Sequence, residues 1–367
     1  MSQKSILLLG TRGIPASHGG FETFVERLAP FLVEQGWDVS VYCQEEGSQA
    51  IWEDDWHGVR RIHVPVSGSG TLSTIKFDWV SMRDALKRPG LLLSFGYPTA
   101  LFALLPRLKR RRHIINMDGV EWKRSQFGKG GKAWLYLNER IAALLGNHLV
   151  ADHPKIAEHL ETRAPKSKIT TIAYGADKVE QADFSRLSFL DIEPDKYAVV
   201  IARPERDNSF LEIITAFSRE QRGRKLVVLG NLKPDLVPYH AELVAAASGE
   251  VIFPGAIYEH PKVQALRKHA RFYIHGHRVG GTNPSLVEAL GAGNAILAMN
   301  NDFNAWVAGK GATYFTTVED CADSITKLFA DDALVTTLRA GAEAQFEAFT
   351  WPAILAQYEE LLLAEHP

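Results

Sequence analysis

The sequence predicts an α/β protein built from two doubly wound parallel sheets, and three observations support this fold class. Short apolar runs alternate with helical patterns along the chain, which is typical of parallel strands joined by crossover helices. The alternation restarts at Tyr197 after a polar segment. The length of 367 residues corresponds to about two domains of roughly 150 residues each.

The first half of the chain contains the elements of one doubly wound unit. The run Ile6–Gly10 predicts the first strand, and a glycine-rich loop then leads into a helix that ends at Gly36. The apolar face of this helix consists of Val25, Leu28, Ala29, Leu32 and Val33. Further strands are predicted at Val39–Cys43, Leu91–Ser94, His113–Met117, Leu149–Ala151 and Ile169–Ala173.

The second half repeats the pattern. A helix is predicted from about Ser209 to Ser218, and strands are predicted at Tyr197–Ala202, Lys225–Leu229, Val251–Pro254, Arg271–His275 and Ala295–Ala298. The polar segment 175–195 is interpreted as the linker.

These elements predict a first domain over residues 1–180 and a second over residues 190–349. The last segment, Trp351–Leu363, carries an apolar stripe at helical spacing that must be buried. Because open α/β sheets bind ligands at the carboxyl ends of their strands, we expect a ligand in a cleft where the two sheets face each other.

Composition excludes several classes of protein. Hydrophobic residues make up 46% of the chain and charged residues 23%, which excludes disorder and coiled coils. A formal net charge of −2 argues against nucleic acid as a partner. Cys43 and Cys321 are the two cysteines, so neither a disulfide framework nor a cysteine metal site is expected, and the default compartment is cytoplasmic. No signal peptide or transmembrane helix is predicted, because the apolar runs are too short.

The loop between the first strand and the first helix is a candidate anion site. Gly19 and Gly20 lie at the helix start, where glycine amides and the helix dipole favour an anion. The spacing of Gly10 and Gly13 is not that of a dinucleotide fingerprint, and no P-loop lysine follows. A turn that only needs glycine is the alternative.

A second candidate lies after the strand Tyr197–Ala202. Arg203 is predicted to point into the cleft, where its guanidinium would grip phosphate oxygens. Asp207 and Asn208 follow, and capping of the next helix explains them as well as ligand binding does.

The segment 275–293 contains the densest group of candidate residues. Thr282 or Asn283 is a natural N-cap, and Pro284 occupies the first helical position. The amides from Gly281 to Ser285 would converge where a diphosphate could dock.

Three side chains around that helix start are further candidates. Glu288 follows about one turn into the helix and would lie near the ribose of a nucleotide. His277 and Arg278 are either cleft residues or ordinary polar residues of a loop.

A basic segment is the candidate contact with a membrane. Five of the six residues from Arg107 to Arg112 are basic, among them Lys109, Arg110 and Arg111. On anionic lipid each charge near the surface contributes about 1 kcal/mol, so this patch could hold the first domain at the inner face of the membrane. A solvated helix end is the alternative.

Four motifs in order give the chain a resemblance to the GT-B glycosyltransferases of family 4, across nearly its whole length. The motifs are Gly-Thr-Arg-Gly-Ile-Pro from Gly10 with a later Gly-Gly-Phe-Glu, Asp-Gly-Val-Glu-Trp from Asp118, Glu-Arg-Asp-Asn from Glu205, and the segment from His275 to Glu288. Within that family they resemble the rhamnosyltransferase branch that builds bacterial cell-surface polysaccharides.

The resemblance implies a fold and an activity. The last helix, residues 350–367, would cross back to the first, acceptor-binding domain, and the second domain would bind the nucleotide sugar. The implied enzyme is a retaining glycosyltransferase that moves L-rhamnose from dTDP-rhamnose onto a lipid-linked saccharide at the cytoplasmic face of the membrane, on an anionic lipid surface. A UDP- or GDP-sugar donor, and a degenerate sugar-binding module without turnover, are the alternatives.

The resemblance also assigns roles to residues. Asp118, Arg203 and Glu288 would be catalytic. The nucleotide sugar would contact Gly19, Gly20, Arg203, Asn208, His277, Gly280, Gly281, Thr282, Asn283, Ser285 and Glu288. The leaving diphosphate would help to deprotonate the acceptor during front-face attack.

The chain departs from the family pattern at three positions. Gly280 stands where the family has the first glutamate of a pair, and Asn208 stands where it has a lysine. Arg278 or Arg12 is a candidate to replace the lost positive charge. Asp118 stands where the family often has a histidine. No cofactor and no metal ion are expected, because the sequence has no D-x-D motif.

Overall fold

The structure is a computed structural model that describes residues 4–16, 19–124 and 127–366. The chain divides into two compact units, Met1–Tyr174 with Trp351–Pro367, and Gly175–Thr350. The segment interpreted as a linker, residues 175–195, is therefore part of the second unit. The predicted α/β class with two largely parallel sheets is confirmed.

Eight strands form the sheet of the first unit: β1 (Ser5–Leu9), β2 (Asp38–Glu46), β3 (Trp52–Trp56), β4 (Val59–Val66), β5 (Leu91–Phe95), β6 (His113–Asn116), β7 (His148–Ala151) and β8 (Ile169–Thr171). Their order in the sheet is β3-β4-β2-β1-β5-β6-β7-β8. Neighbouring strands pair in parallel except β3 and β4, which form an antiparallel hairpin at the edge. The sequence interpretation missed this hairpin, whose two central turn residues, His57 and Gly58, both have positive φ, as a tight hairpin turn requires.

The helices before residue 175 cover the faces of this sheet. They are α1 (Gly20–Glu34), α2 (Thr71–Ala85), α3 (Leu104–Leu108), α4 (Lys129–Leu145) and α5 (Pro154–Glu161). In α1 the predicted apolar face is buried except for Val33, which is half-buried, and Phe24 joins it. The helix ends at Glu34, and Gly36 has a φ of 79°, a conformation that glycine adopts without strain.

The second unit contains a six-stranded parallel sheet. Its strands are β9 (Tyr197–Ile201), β10 (Lys225–Leu229), β11 (Val251–Ile252), β12 (Phe272–His275), β13 (Ala295–Met299) and β14 (Ala312–Phe315), in the order β11-β10-β9-β12-β13-β14. Its helices are α6 (Phe210–Phe217), α7 (Pro238–Ala245), α8 (His260–Lys268), α9 (Pro284–Gly291), α10 (Asp302–Ala308), α11 (Val318–Ala330) and α12 (Asp332–Phe346). The sequence interpretation found five of these strands and missed β14.

The last helix, α13 (Trp351–Glu365), belongs to the first unit. All six apolar residues of its predicted stripe are buried: Trp351, Ile354, Leu355, Tyr358, Leu361 and Leu362. The Tyr358 ring lies 4.8 Å from that of Phe24 in α1, and its hydroxyl accepts a hydrogen bond of 2.7 Å from Asn116 Nδ2 at the end of β6. The predicted return of the C-terminal helix to the first domain is confirmed.

Among the residues that the structure describes, none of the helices has the length and apolar character that spanning a bilayer requires.

Candidate functional site

In the second unit, Arg203 follows the carboxyl end of β9. Its guanidinium lies 3.6 Å from the Glu205 carboxylate, and 66% of its side chain is exposed, so solvent reaches it freely. Asn208 is buried and donates its Nδ2 to the Arg203 carbonyl over 2.8 Å. The Asn208 side chain therefore holds the shape of the loop that carries Arg203.

The predicted capping of α6 by Asp207 or Asn208 is wrong. The residue before the helix is Ser209, which adopts a left-handed conformation with a φ of 51° and makes no side-chain cap. Asp207 and Asn208 lie instead in a 3₁₀ turn, Arg206–Asn208, that precedes Ser209.

The start of α9 follows the prediction. Asn283 is the N-cap, its Oδ1 accepts the Ser285 amide at 3.0 Å, and Pro284 occupies the first turn. The Ser285 hydroxyl donates to the Ile201 carbonyl at 3.0 Å and lies 2.9 Å from the Tyr273 hydroxyl. Ser285 thereby fixes the helix start against the end of β9 and against β12.

The most informative contact in this region is one that the sequence interpretation missed. Arg267 of α8 is buried, with a side chain only 6% exposed, and its Nη2 lies 2.5 Å from Glu288 Oε2. The same Nη2 donates to Ser285 Oγ at 3.0 Å. The signal in the sequence was Arg267 itself, which directly follows the apolar residues Ala265 and Leu266 in a helix. An arginine that is buried with such neighbours requires an acidic partner.

His275, the last residue of β12, stacks on His277. The rings of His275 and His277 are 4.3 Å apart and inclined by 10°. Burial, together with the neighbouring His277, holds the pKa of His275 well below its ordinary value. The His277 carbonyl accepts amide hydrogens from Asn301 and Asn304 at 2.9 and 2.8 Å, which fixes the loop that leads to Gly280.

Two further residues of this loop bear on the departures from the family pattern. Arg278 donates to Ser209 Oγ at 2.9 Å and to Glu212 Oε1 at 2.6 Å, so its charge is already paired with α6. Gly280 has a φ of 146°, and a Cβ built there meets no atom within 4 Å. The structure therefore has open space at position 280, where the family has a glutamate side chain.

In the first unit, the glycine loop approaches the sheet closely at one point. Gly10 has a φ of 82°, and a Cβ there would lie 2.3 Å from the Phe95 carbonyl oxygen, so only glycine fits. At the start of α1, the Glu22 carboxylate accepts the Arg12 amide at 3.0 Å and would lie 2.0 Å from a Cβ on Gly19. The anion site predicted at Gly19 and Gly20 is thus bordered by a carboxylate, and it stays a prediction.

A cavity of about 250 Å³ opens at the carboxyl edge of the first unit's sheet. Aromatic side chains and three carboxyl groups line it: Phe21, Phe95, Tyr97, Phe102, Asp78, Asp118 and Glu121. The Thr99 hydroxyl donates to Asp78 Oδ2 over 2.8 Å, while burial raises the pKa of Asp78 to about 6. The sequence interpretation missed Asp78. Its aromatic neighbours Phe77 and Trp79 were the available signal for a carboxyl group in apolar surroundings.

Asp118 lies at a sharp turn after β6. Its φ is 53°, and its amide donates to Asn116 Oδ1 at 3.0 Å. The next residues are held by Tyr97, whose hydroxyl accepts the Glu121 amide at 2.8 Å. Asp118 therefore lines the cavity from a constrained backbone.

A buried carboxylate anchors the rest of the Asp118 motif to α4. Glu139 is 1% exposed and accepts from Trp122 Nε1 at 2.8 Å, from His159 Nε2 at 3.0 Å and from Arg163 Nε at 3.1 Å. Burial alone would raise the pKa of Glu139, but the hydrogen bonds from His159, Trp122 and Arg163 outweigh burial and hold it below its ordinary value. The sequence interpretation did not include Glu139.

The basic segment does not present four equivalent charges to solvent. Arg111 turns inward and donates to the carbonyls of Arg88 and Gly90, and Arg112 lies 3.4 Å from the Glu365 carboxylate. Lys109 and Arg110 are exposed and have no ion pair within the described residues.

Within residues 4–16, 19–124 and 127–366, no three or more His, Cys, Asp or Glu side chains are grouped as a metal site would need. Independence of metal ions stays a prediction.

Comparison with known proteins places this geometry in context. Residues 19–175 match the family model of the glycosyl transferase 4-like domain. Among curated proteins, none matches the sequence significantly.

Solved structures match nearly the whole chain. Sucrose-phosphate synthase from Thermosynechococcus elongatus aligns with a TM-score of 0.82 at 15% identity, over 98% of both chains. HepE of Anabaena in complex with UDP and glucose aligns with a TM-score of 0.76 at 15% identity, over 98% of this chain and 99% of that one. A UDP-forming trehalose-phosphate synthase from Burkholderia xenovorans in complex with glucose-6-phosphate aligns with a TM-score of 0.74 at 11% identity, over 98% and 100%. Residues 19–175 thus resemble a glycosyl transferase 4-like domain, and the chain has the fold of the GT-B glycosyltransferases.

Proposed function

We propose that this protein is a retaining glycosyltransferase that uses a nucleotide diphosphate sugar. The observation that carries the proposal is the buried Arg267, which holds the Glu288 carboxylate 2.5 Å away, one turn into α9. A half-exposed carboxylate fixed in this way is suited to accept hydrogen bonds from the two hydroxyls of a ribose.

The same region supplies groups for the diphosphate. The exposed guanidinium of Arg203 offers a fork of donors, and the capped start of α9 adds the positive end of a helix dipole. His277, Gly280, Gly281, Thr282 and Asn283 make up the loop before this helix. Arg278 is held by Glu212 at 2.6 Å, whereas Arg203 is more exposed and lies 3.6 Å from Glu205, so Arg203 would be the main cation for the departing diphosphate.

The acceptor would bind in the cavity of the first unit. Its aromatic walls suit the C–H faces of a saccharide, and Asp78 and Asp118 suit its hydroxyl groups. In the reaction, the acceptor oxygen forms a bond to the anomeric carbon while the bond from that carbon to the diphosphate breaks. The hydroxyl proton passes to the leaving diphosphate, and Asp118 would stabilise the positive charge that develops on the sugar.

The donor that we propose is dTDP-L-rhamnose, and the acceptor is a saccharide on a lipid carrier used for cell-surface polysaccharide. The support is the resemblance of the four motifs to the rhamnosyltransferase branch. The protein would work at the cytoplasmic face of the membrane, with the basic segment facing anionic lipid.

A UDP-sugar is the second candidate donor. It is favoured by the HepE structures of the same fold, one of which contains UDP-glucose and another UDP and glucose.

A thermal-shift panel of dTDP-, UDP- and GDP-sugars tests these assignments, because a ligand that binds the native state raises its apparent stability. We expect dTDP-rhamnose to raise the melting temperature of the wild type and to raise that of Glu288→Gln much less. If only a UDP- or a GDP-sugar raised the melting temperature, that nucleotide sugar would replace dTDP-rhamnose as the proposed donor. Absence of any shift, together with absence of turnover, would favour a sugar-binding module without activity.

A further inference from the structure

Helix α4 has two apolar faces, and one of them is exposed. Leu135 and Ala142 are buried against the rest of the unit. Trp134, Leu137 and Leu144 are 43%, 51% and 72% exposed. These three residues share one stripe of the helix with the half-buried Ile141, since their positions differ by three, four and three residues.

A second exposed apolar row precedes the basic segment. Leu101, Leu104 and Leu108 are 46%, 44% and 71% exposed. They recur at intervals of three and four residues in a short 3₁₀ helix, Ala100–Ala103, and the following α3.

Hydrogen bonds join the start of the first row to α4, and another joins the segments that follow the two rows. At one end the Leu101 amide donates to Asn138 Oδ1 at 3.1 Å, and Trp134 Nε1 donates to the Pro98 carbonyl at 2.8 Å. At the other end the His113 amide donates to Asn147 Oδ1 at 3.0 Å. The two rows therefore lie on neighbouring parts of the first unit, with Leu101 held beside α4, and we call their exposed residues the leucine face: Leu101, Leu104, Leu108, Trp134, Leu137 and Leu144.

Among charged side chains, the two segments that carry the leucine face present only basic ones to solvent. Arg107, Lys109 and Arg110 follow the first row and are exposed, without ion pairs in the described part of the chain. Residues 100–112 contain no acidic residue, and the single acid of α4, Glu139, is buried. Arg112 is already paired with Glu365, so the unpaired charge beside the leucine face is cationic.

We infer that the leucine face is a membrane-docking surface that inserts into the headgroup region of an anionic bilayer. An exposed apolar patch marks an interaction surface, and an apolar face with cationic flanks fits the boundary between acyl chains and anionic headgroups. The indole of Trp134 suits the same interface. The inference rests on the proposed function, because it assumes a lipid-linked acceptor. It adds insertion of the leucine face into the bilayer to the electrostatic contact expected of the basic segment.

Flotation with phosphatidylcholine vesicles containing or lacking phosphatidylglycerol tests the inference. We expect the full-length protein to bind the anionic vesicles, and the double variant Leu108→Ser/Leu144→Ser to lose about tenfold or more in partitioning, since two leucines would no longer be buried. The double variant Lys109→Gln/Arg110→Gln should lose affinity for anionic vesicles only. Leu236→Ser, at an exposed leucine of the second unit, is the matched control and should bind like the wild type.

Several outcomes would overturn the inference. The inference is wrong if the wild-type protein binds neither kind of vesicle. It is also wrong if Leu108→Ser/Leu144→Ser partitions onto anionic vesicles as the wild type does. A concentration-dependent dimer in sedimentation that Leu108→Ser/Leu144→Ser dissociates would assign the leucine face to a second copy of the chain. Nucleotide binding by the same variants, measured without vesicles, separates this result from the proposed function, because neither leucine belongs to the candidate donor site.

Discussion

Arg267 Nη2 bridges Glu288 Oε2 at 2.5 Å and Ser285 Oγ at 3.0 Å. One buried guanidinium thereby joins α8 to the first turn of α9 and fixes a carboxylate whose side chain remains 36% exposed. The Glu288 carboxylate is thus held by a buried partner on one side and reaches solvent on the other, as the proposed contact with a ribose requires.

Replacing Glu288 by glutamine tests this relationship. Glutamine keeps the shape and an acceptor for Arg267 but removes the charge that offsets the buried guanidinium. We expect a loss of about 1–2 kcal/mol in the free energy of unfolding, below the value for a fully buried pair because Glu288 is half-exposed. Urea unfolding measures this loss of stability. Titration calorimetry with the nucleotide measures the loss of nucleotide affinity that the proposed ribose contact predicts.

Glu212→Gln is the matched control, since Glu212 pairs with the partly exposed Arg278. It should change stability by less than about 0.5 kcal/mol and leave nucleotide affinity intact. Equal losses of nucleotide affinity in both variants would contradict a specific role for Glu288.

The buried Glu139 gives a prediction with a pH dependence. In Glu139→Gln the acceptor for Trp122 and Arg163 is weakened, and we expect a loss of about 2–4 kcal/mol at neutral pH. Because the pKa of the folded carboxyl is depressed, the charge-dependent part of the wild type's advantage is fully present above the unfolded value of about 4.5 and is lost as the pH falls through the folded pKa. Urea unfolding at several pH values from 7 to 3 measures the difference in unfolding free energy between the wild type and Glu139→Gln.

The control for Glu139 is Glu158→Gln, whose carboxylate is 62% exposed beside Lys155. Its stability curve should coincide with that of the wild type at every pH. A Glu139 difference that stays constant down to pH 3 would show that packing, and not charge, causes the loss.

Much of the fold could be predicted from sequence because buried parallel strands are continuous apolar runs. The hairpin β3–β4 escaped prediction because Trp-Glu-Asp-Asp-Trp at residues 52–56 lies at a sheet edge, where charged side chains reach solvent. The N-cap Asn283 and Pro284 are local signals and were found. The partners Arg267 and Glu139 were not found, because their roles depend on contacts across 21 and 17 residues, with Glu288 and Trp122, that no local spacing encodes.

Asp78 gives a stability prediction of the opposite sign. Burial raises the pKa of Asp78 from 3.8 to about 6, so the folded state holds this proton more tightly than the unfolded state does. Stability is therefore full below about pH 4 and declines as the pH rises to about 6, and Asp78→Asn should remove this decline. We expect the variant to be more stable than the wild type by about 3 kcal/mol at pH 7.5 and nearly equal to it near pH 3.5.

Urea unfolding at the two pH values measures this change, and the exposed Asp323→Asn serves as the control. If the cavity binds the acceptor as proposed, Asp78→Asn gains stability and loses acceptor affinity, seen as a higher KM for the acceptor with the donor KM unchanged. A variant with unchanged acceptor KM would separate the cavity from acceptor binding.

The contact between α13 and β6 predicts a longer-range effect. Tyr358 accepts from Asn116 Nδ2, and Asn116 Oδ1 accepts the Asp118 amide, so one buried asparagine links the C-terminal helix to the candidate catalytic aspartate. Tyr358→Phe leaves the Asn116 amide buried without its acceptor, and we expect a loss of about 1–2 kcal/mol in unfolding free energy. It should also lower kcat, because the turn at Asp118, with its φ of 53°, loses part of its support. Leu363→Ala, at an exposed position of the same helix, should alter neither quantity, and a Tyr358→Phe enzyme with normal kcat would show that the turn at Asp118 is held without Tyr358.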